Sequence, residues 1–152
     1  AEDTDEILLR GPNVFGGYWE RPEANAEAFL GGWFASGDVG SFDDDGYLRI
    51  VGRRKELIIS GGYNVYPREV EDVLRSHPAV HDAAVVGVAD PQWGEAVVAF
   101  VEGDVVDSGV AEVLAFAADR LAPYKRPKRI HVVGSLPRNA LGKVVKTDLS
   151  EG

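Results

Sequence analysis

The chain has 152 residues, 45% of them hydrophobic, and a formal net charge of −9 at pH 7. This composition is that of a soluble globular protein with a core, and it excludes disordered and fibrous classes. The chain has no cysteine and only three scattered histidines, which excludes disulfides, thiolate catalysis and Cys-ligated zinc and gives no indication of a histidine metal site.

The sequence gives no sign of a membrane-spanning or secretory segment. No apolar run approaches the roughly 18 residues of a membrane span, and the acidic N-terminus is unlike a secretory signal. We therefore expect a cytoplasmic protein without a transmembrane segment. Because the chain has no methionine, it does not show its translation start, and we expect a piece of a longer protein.

The first part of the chain, residues 1–52, predicts mostly antiparallel β structure. A strand is expected at Glu6–Arg10 and a short helix at Pro22–Phe29, which starts with a proline and contains two glutamates and three alanines. The Asp-Gly pair at 45–46 predicts a hairpin turn leading into a strand at Tyr47–Val51.

The stretch Gly52–Glu71 separates two unlike parts. Its charged residues 53–56 predict a solvated connector, followed by two short strands, Leu57–Ile59 and Tyr63–Val65, around a glycine pair, and Pro67 opens a helix. We therefore expect one domain to end at residue 52 and a second to occupy residues 53–152.

The second part predicts a small α+β domain. Helices are expected at Pro67–Arg75 and from Val110 to Leu121, the latter with Ser108 or Gly109 near its N-cap. Strands are expected at residues 81–88, 95–101 and 129–133, and a polar loop at 137–142 precedes Lys143.

A basic run lies near the end of this second part. Residues 120–146 contain eight Lys or Arg and no acid, so the run is either a phosphate-binding surface or a solvated basic face. Nucleic acid is a weak third interpretation, because the protein as a whole is acidic.

Three segments in this order resemble the late motifs of the adenylate-forming (AMP-forming) superfamily: residues 35–38, 52–71 and 137–146. The likeness extends to residues 10–19 and so covers nearly the whole chain. Acyl-CoA synthetases are the most similar branch, and residues 57–67 look more like malonyl-CoA synthetases and fatty acyl-CoA ligases than like aryl or luciferase-type enzymes.

The resemblance implies a two-step ligase. A carboxylic acid attacks the α-phosphorus of ATP to give acyl-AMP and pyrophosphate, and the thiol of coenzyme A then displaces AMP. The family's phosphate loop is absent here, so the chain is similar to the end of an N-terminal adenylation domain plus the mobile C-terminal domain. Mg²⁺ would be bound mainly by the missing N-terminal part, and this piece alone would be inactive.

The resemblance also implies roles for single residues. Asp38 and Arg53 match groups that meet the nucleotide sugar, Asn64 matches an amide near AMP, and Lys143 matches the lysine that bridges the carboxylate and the α-phosphate. Lys55 matches the hinge position.

Ser60, Gly61 and Gly62 match the strand that coenzyme A approaches in the second step. Ile59 departs from the pattern, because several relatives have a lysine there.

The residues are also compatible with two other functions. The same first step would serve an adenylation domain that loads a carrier protein, and Asp38, Arg53 and the basic run would also suit a non-catalytic nucleotide-binding module. The acid itself is not indicated by these residues.

Overall fold

The computed structural model describes residues 4–106 and 109–149. It divides into two compact units, of which the first ends at Lys55 and the second begins at Glu56. The domain boundary expected from the sequence, between Gly52 and Arg53, stays a prediction. Within the described residues, no helix has the length and apolar character needed to cross a membrane.

The first unit is built around one antiparallel sheet in which β3 is paired on both edges. Strand β3 is bordered by β1 and β2, and β4 also pairs with it. One short helix, α1, precedes β2. The bounds are β1 Asp5–Leu9, α1 Pro22–Ala28, β2 Phe29–Leu30, β3 Trp33–Phe42 and β4 Leu48–Arg53.

The turn between β3 and β4 is closed by Asp43. Its Oδ1 accepts hydrogen bonds from the backbone N–H groups of Asp45 and Tyr47, and Gly46 supplies the left-handed backbone at φ 81°. The expected hairpin is therefore present. The connector is shorter than expected, because Gly52 and Arg53 pair with β3 and belong to the strand.

The second unit has a five-stranded mixed sheet in the order β6-β5-β8-β7, with β9 parallel to β8. Two helices accompany it. The bounds are β5 Ile58–Ser60, β6 Tyr63–Val65, α2 Pro67–Arg75, β7 Val80–Asp90, β8 Gly94–Gly103, α3 Val110–Ala118 and β9 Arg129–Val133. The α+β class expected from the sequence is confirmed.

Both faces of the second unit's sheet are buried. Side chains alternate along β8, so successive residues of this strand contribute to two different clusters. Val97, Ala99 and Val101 face a core shared with both helices, and Val98 and Phe100 face a second cluster. That second cluster includes parts of the C-terminal segment, which is how the chain beyond β9 is fastened to the sheet. The residues it contributes are Leu136, Val144 and Leu149.

Helix α3 begins where the sequence predicts and ends earlier than expected. Its N-cap is Gly109, which has a helical backbone and no side-chain cap, and Ser108 lies outside the described residues. The helix ends at Ala118, and Leu121 is buried in the turn that follows. The apolar periodicity therefore continues into the core for three residues after the helix has ended.

Candidate active-site residues

Two of the residues expected to meet a nucleotide are paired in the first unit. Asp38 and Arg53 are cross-strand partners in β3 and β4, and Arg53 Nε lies 2.8 Å from Asp38 Oδ1. Gly37, at φ 74°, and the bond from the Asp38 N–H to Ser36 Oγ bend the chain at this point. The pair orients one carboxylate oxygen by a charge-assisted bond and leaves capacity on the other.

The residues around Lys55 are each held by an ion pair. Arg53 pairs with Asp38 and Arg54 with Glu6, and Glu56 accepts a bond from Lys146 at 2.6 Å. Lys55 itself is exposed, in a 3₁₀ turn at Arg54–Glu56, and has no partner among the described residues. The side chains on either side of Lys55 therefore have partners, and that of Lys55 has none among the described residues.

The glycine pair after β5 forms the turn of a hairpin. Gly61 and Gly62 have φ values of 59° and 81°, which favour glycine at both positions. Gly61 has a second requirement, because its N–H donates to the Trp93 carbonyl at 2.8 Å and a Cβ there would lie 3.1 Å from the Trp93 ring. Gly62 has open space around it.

The Ser60 side chain points into the protein. The residue is 0% exposed, and its hydroxyl has no hydrogen-bond partner among the described residues. Its backbone pairs with Tyr63 and Gly94. Asn64, by contrast, is exposed on β6 opposite Ile59. In this structure the amide of Asn64 is accessible and the hydroxyl of Ser60 is not.

Two residues that the sequence interpretation passed over support this hairpin. Glu95 accepts a hydrogen bond from the Ile59 N–H at 2.7 Å, and its carboxylate occupies space that only a glycine at 87 leaves free. Trp93 packs on Gly61 and lies 4.1 Å below the Lys128 ammonium. Both residues lie in the segment Asp-Pro-Gln-Trp-Gly-Glu at 90–95. The sequence indicates a turn there but not its contacts with the β5 hairpin.

Lys143 is carried by a tight hairpin in the C-terminal segment. An antiparallel bridge joins Arg138 and Val144, and the Asn139 N–H donates to the Lys143 carbonyl at 2.9 Å. Asn139 Oδ1 also accepts the N–H groups of Leu141 and Lys143, both at 3.0 Å. These bonds fix the backbone of Lys143 while its side chain is exposed.

Most of the basic run is paired within the protein. Seven of its eight cations have a partner, in ion pairs, bonds to carbonyl groups or contacts with aromatic rings: Arg120, Lys125, Arg126, Lys128, Arg129, Arg138 and Lys146. The ammonium of Lys143 has none among the described residues. Most cations of the run therefore have a partner within the protein, and Lys143 is the exception in it.

An ion cluster lies where α2 meets β7. Burial disfavours the charged form of Arg75, but bonds to Asp82 and the charges of Glu71, Asp82 and Asp72 outweigh it and raise the pKa of Arg75. Burial likewise acts to raise the pKa of Asp82, but hydrogen bonds from Arg75, Arg138 and the Ala83 N–H outweigh it and lower that pKa. Asp82 is therefore held ionised between two guanidinium groups.

Residues 4–106 and 109–149 contain no group of three or more His, Asp or Glu side chains arranged to hold a metal ion.

Residues 69–143 match the protein family described as AMP-binding enzyme C-terminal domain. The chain is 51% identical over 150 residues to 2-succinylbenzoate–CoA ligase of Geobacillus kaustophilus, covering 97% of this chain and 30% of that protein. It is 49% identical over 150 residues to feruloyl-CoA synthase of an Amycolatopsis species, again covering 97% of this chain and 30% of that protein. The chain thus spans about a third or less of the curated relatives it matches.

Two solved enzyme structures are also similar to this chain over almost its whole length. o-Succinylbenzoate CoA synthetase of Bacillus subtilis, in complex with an acyl-adenylate intermediate, superposes with a TM-score of 0.91 at 42% identity, covering 99% of this chain and 31% of that one. An amide bond synthetase of Marinactinospora thermotolerans superposes with a TM-score of 0.87 at 43% identity, covering 95% of this chain and 30% of that one.

Proposed function

We propose that this chain is the C-terminal part of an ATP-dependent carboxylate–CoA ligase, because residues 69–143 match the family described as AMP-binding enzyme C-terminal domain and CoA ligases are about half identical to nearly the whole chain. The longer protein activates a carboxylic acid as acyl-AMP and transfers the acyl group to coenzyme A. The 152-residue piece alone is expected to be inactive, since the rest of the site belongs to the missing N-terminal domain.

The observation that carries this proposal is the state of Lys143. In a run of eight cations it has no partner for its ammonium among the described residues, yet its backbone is fixed by Asn139. A free point charge on a fixed backbone suits a group that neutralises charge developing on the α-phosphate oxygens and the attacking carboxylate. We assign Lys143 this role in the adenylation step.

The test is the variant Lys143→Ala in the longer protein. Loss of one oriented charge-stabilising donor typically costs 10²–10³-fold, or about 3–4 kcal/mol, so adenylate formation should fall by about that factor. Thioester formation from synthetic acyl-AMP should be much less affected. Arg120→Ala, which removes another exposed cation of the run, is the control and should leave both steps near the wild-type rates. Equal losses in both steps would make Lys143 a structural residue.

We further propose that Asp38 accepts hydrogen bonds from the ribose hydroxyls. The 2.8 Å pair with Arg53 supports this, because it holds the carboxylate in one orientation at the end of β3 and leaves Asp38 Oδ2 able to accept. Asn64, exposed on β6, is proposed to contact AMP through its amide.

Lys55 is proposed as the hinge of the longer protein. The two steps require different residues of the second unit, Lys143 in adenylation and the Gly61–Gly62 hairpin in thioester formation. A change of arrangement at a short connector is made by large φ/ψ changes at one or two residues. The ion pairs of Arg54 with Glu6 and of Glu56 with Lys146 support Lys55 as that residue.

The hairpin at Gly61 and Gly62 is proposed to approach the pantetheine arm of coenzyme A through its backbone. Ser60 is included only through its main chain, since its hydroxyl is buried. Mg²⁺ is assigned to the missing N-terminal part, and none of the residue roles above depends on it.

For the group that accepts the acyl chain from acyl-AMP, the comparisons favour one alternative to coenzyme A. Similarity to an amide bond synthetase, with a TM-score of 0.87, supports an amine as the alternative acceptor. Supplying the longer protein with acyl-AMP and either coenzyme A or an amine would distinguish the two acceptors. We draw no assignment of the acid, because the relatives act on different acids according to their names.

A further inference from the structure

The hairpin that presents Lys143 is fastened at its first strand by Arg138. The guanidinium of Arg138 pairs with the carboxylate of Asp82, and its other nitrogen donates to the carbonyl of Gly142, the residue before Lys143, at 3.1 Å. Just upstream, the N–H of buried Leu136 donates to Glu102 Oε2 at 3.0 Å. The first strand is thus tied to both β7 and β8.

The second strand is fastened by Lys146, three residues after Lys143. Its ammonium lies 2.6 Å from Glu56 Oε2 and 2.8 Å from Glu71 Oε1. Glu71 is a buried carboxylate, and the same oxygen accepts the Val85 N–H at 2.9 Å. Lys146 is therefore held by groups on two other elements of the second unit, and its side chain is only 24% exposed.

The carboxylates beneath the hairpin are themselves fixed. Arg75 binds Asp82 at 2.8 Å and Glu71 at 3.5 Å, so the partners of Arg138 and Lys146 belong to one connected set of charges. A charge-assisted bond whose partners make further hydrogen bonds is better oriented than an isolated ion pair. Two such pairs, one on each side of Lys143, leave its backbone little freedom to shift.

From this arrangement we propose that Arg138 and Lys146 are positioning residues for Lys143. Neither touches the reacting groups. They hold the hairpin so that the Lys143 ammonium is presented in one place, and their effect on the reaction is transmitted only through Lys143. The proposal rests on the proposed function of Lys143 in adenylation. A misplacement of about 1 Å costs up to about 100-fold in rate, so loosening either strand should be measurable.

The experiment measures both half-reactions of the longer protein with Arg138→Ala and Arg138→Lys. Arg138→Ala should lower kcat for adenylation by roughly 10- to 100-fold with little change in KM for ATP, and thioester formation from acyl-AMP should be unchanged. Arg138→Lys restores a cation and should recover part of the loss. Arg68→Ala, which removes an exposed ion pair with Asp72 on α2, is the matched control and should change neither step.

Lys146→Met tests the second strand in the same assay. This variant leaves the buried Glu71 carboxylate short of a donor and can destabilise the fold. The amide resonances of the 152-residue chain with Lys146→Met are therefore recorded as well. Positioning predicts faster local motion at Leu141–Lys143 with unchanged core resonances. The proposal would be overturned if Lys146→Met changed the core resonances and Arg138→Ala left adenylation at the rate of the Arg68→Ala control.

A double-mutant cycle gives the sharpest outcome. If Arg138 acts only through Lys143, then adding Arg138→Ala to Lys143→Ala should cause no further loss of adenylation. Independent, multiplying losses would refute positioning and make the Arg138–Asp82 pair a general stabiliser. If Lys143→Ala alone leaves adenylation intact, the proposed function fails instead, and the two failures are therefore distinguishable.

Discussion

Replacing Ser60 by alanine separates a backbone role of the β5 hairpin from a side-chain role. Ser60 is 0% exposed, and its hydroxyl has no hydrogen-bond partner among the described residues. Burying a hydroxyl without a partner costs about 1–3 kcal/mol in protein mutational data. Alanine keeps the Cβ and removes the unpaired group, so Ser60→Ala should stabilise the second unit.

The expected gain is about 1 kcal/mol, the lower end of that range, because removing the oxygen also leaves a small void in a packed region. For a unit of this size, 1 kcal/mol corresponds to an increase in Tm of about 4–8 °C. Chemical denaturation of the 152-residue chain measures the free energy of unfolding. Ser76→Ala is the matched control, because it removes a hydroxyl that donates to the Val73 carbonyl at 2.6 Å, and it should be neutral or destabilising.

The functional half of this prediction uses the longer protein. If coenzyme A meets only the backbone at residues 60–62, Ser60→Ala should form thioester from acyl-AMP at the wild-type rate. A Ser60→Ala variant that is less stable than wild type would show that the hydroxyl has a partner. One that is stable but slow with coenzyme A would show that the hydroxyl becomes exposed and contacts the substrate.

Three other changes test the remaining assignments. Lys55→Pro fixes φ near −65° and should retain one half-reaction in the longer protein while losing the other, whereas Lys55→Ala should retain both; a proline variant that retains both would put the hinge elsewhere. Asp38→Ala should raise the Kd for ATP, and an unchanged Kd would remove its assignment. The lowered pKa of Asp82 means that its stabilising contribution is complete above about pH 4 and is lost as pH falls through the folded value. Below about pH 4 the free energy of unfolding should therefore fall more steeply for wild type than for Asp82→Asn, and equal slopes in acid titrations would contradict this.

Local sequence patterns predicted the elements whose causes are local. Pro67 begins α2, the Asp-Gly turn closes the β3–β4 hairpin, and the glycine pair at 61–62 closes the next one. Strand β9 has the predicted bounds, Arg129–Val133. Turn chemistry and helix starts depend on neighbouring residues, so they can be recognised without the rest of the fold.

The row of charged residues at 53–56 predicts a connector that begins one residue too early. Arg53 instead belongs to β4, where its partner Asp38 is 15 positions away, and Arg54 pairs with Glu6 at a separation of 48 residues. Charge alone does not tell a solvated side chain from one with a distant partner. The pairing depends on strand register, which the sequence of the connector does not contain.

The same reasoning explains why the basic run was ambiguous. Lys125 pairs with Glu69 across 56 positions, and Lys146 pairs with Glu56 across 90. These acids lie in or just before the segments that form β5 and α2, so the fold brings them back against a run that contains no acid of its own. Most of these cations therefore have a partner within the protein. What distinguishes Lys143 is therefore not its charge but that its ammonium has no partner among the described residues, and an exposed lysine on a backbone held by Asn139 is available to a negatively charged substrate.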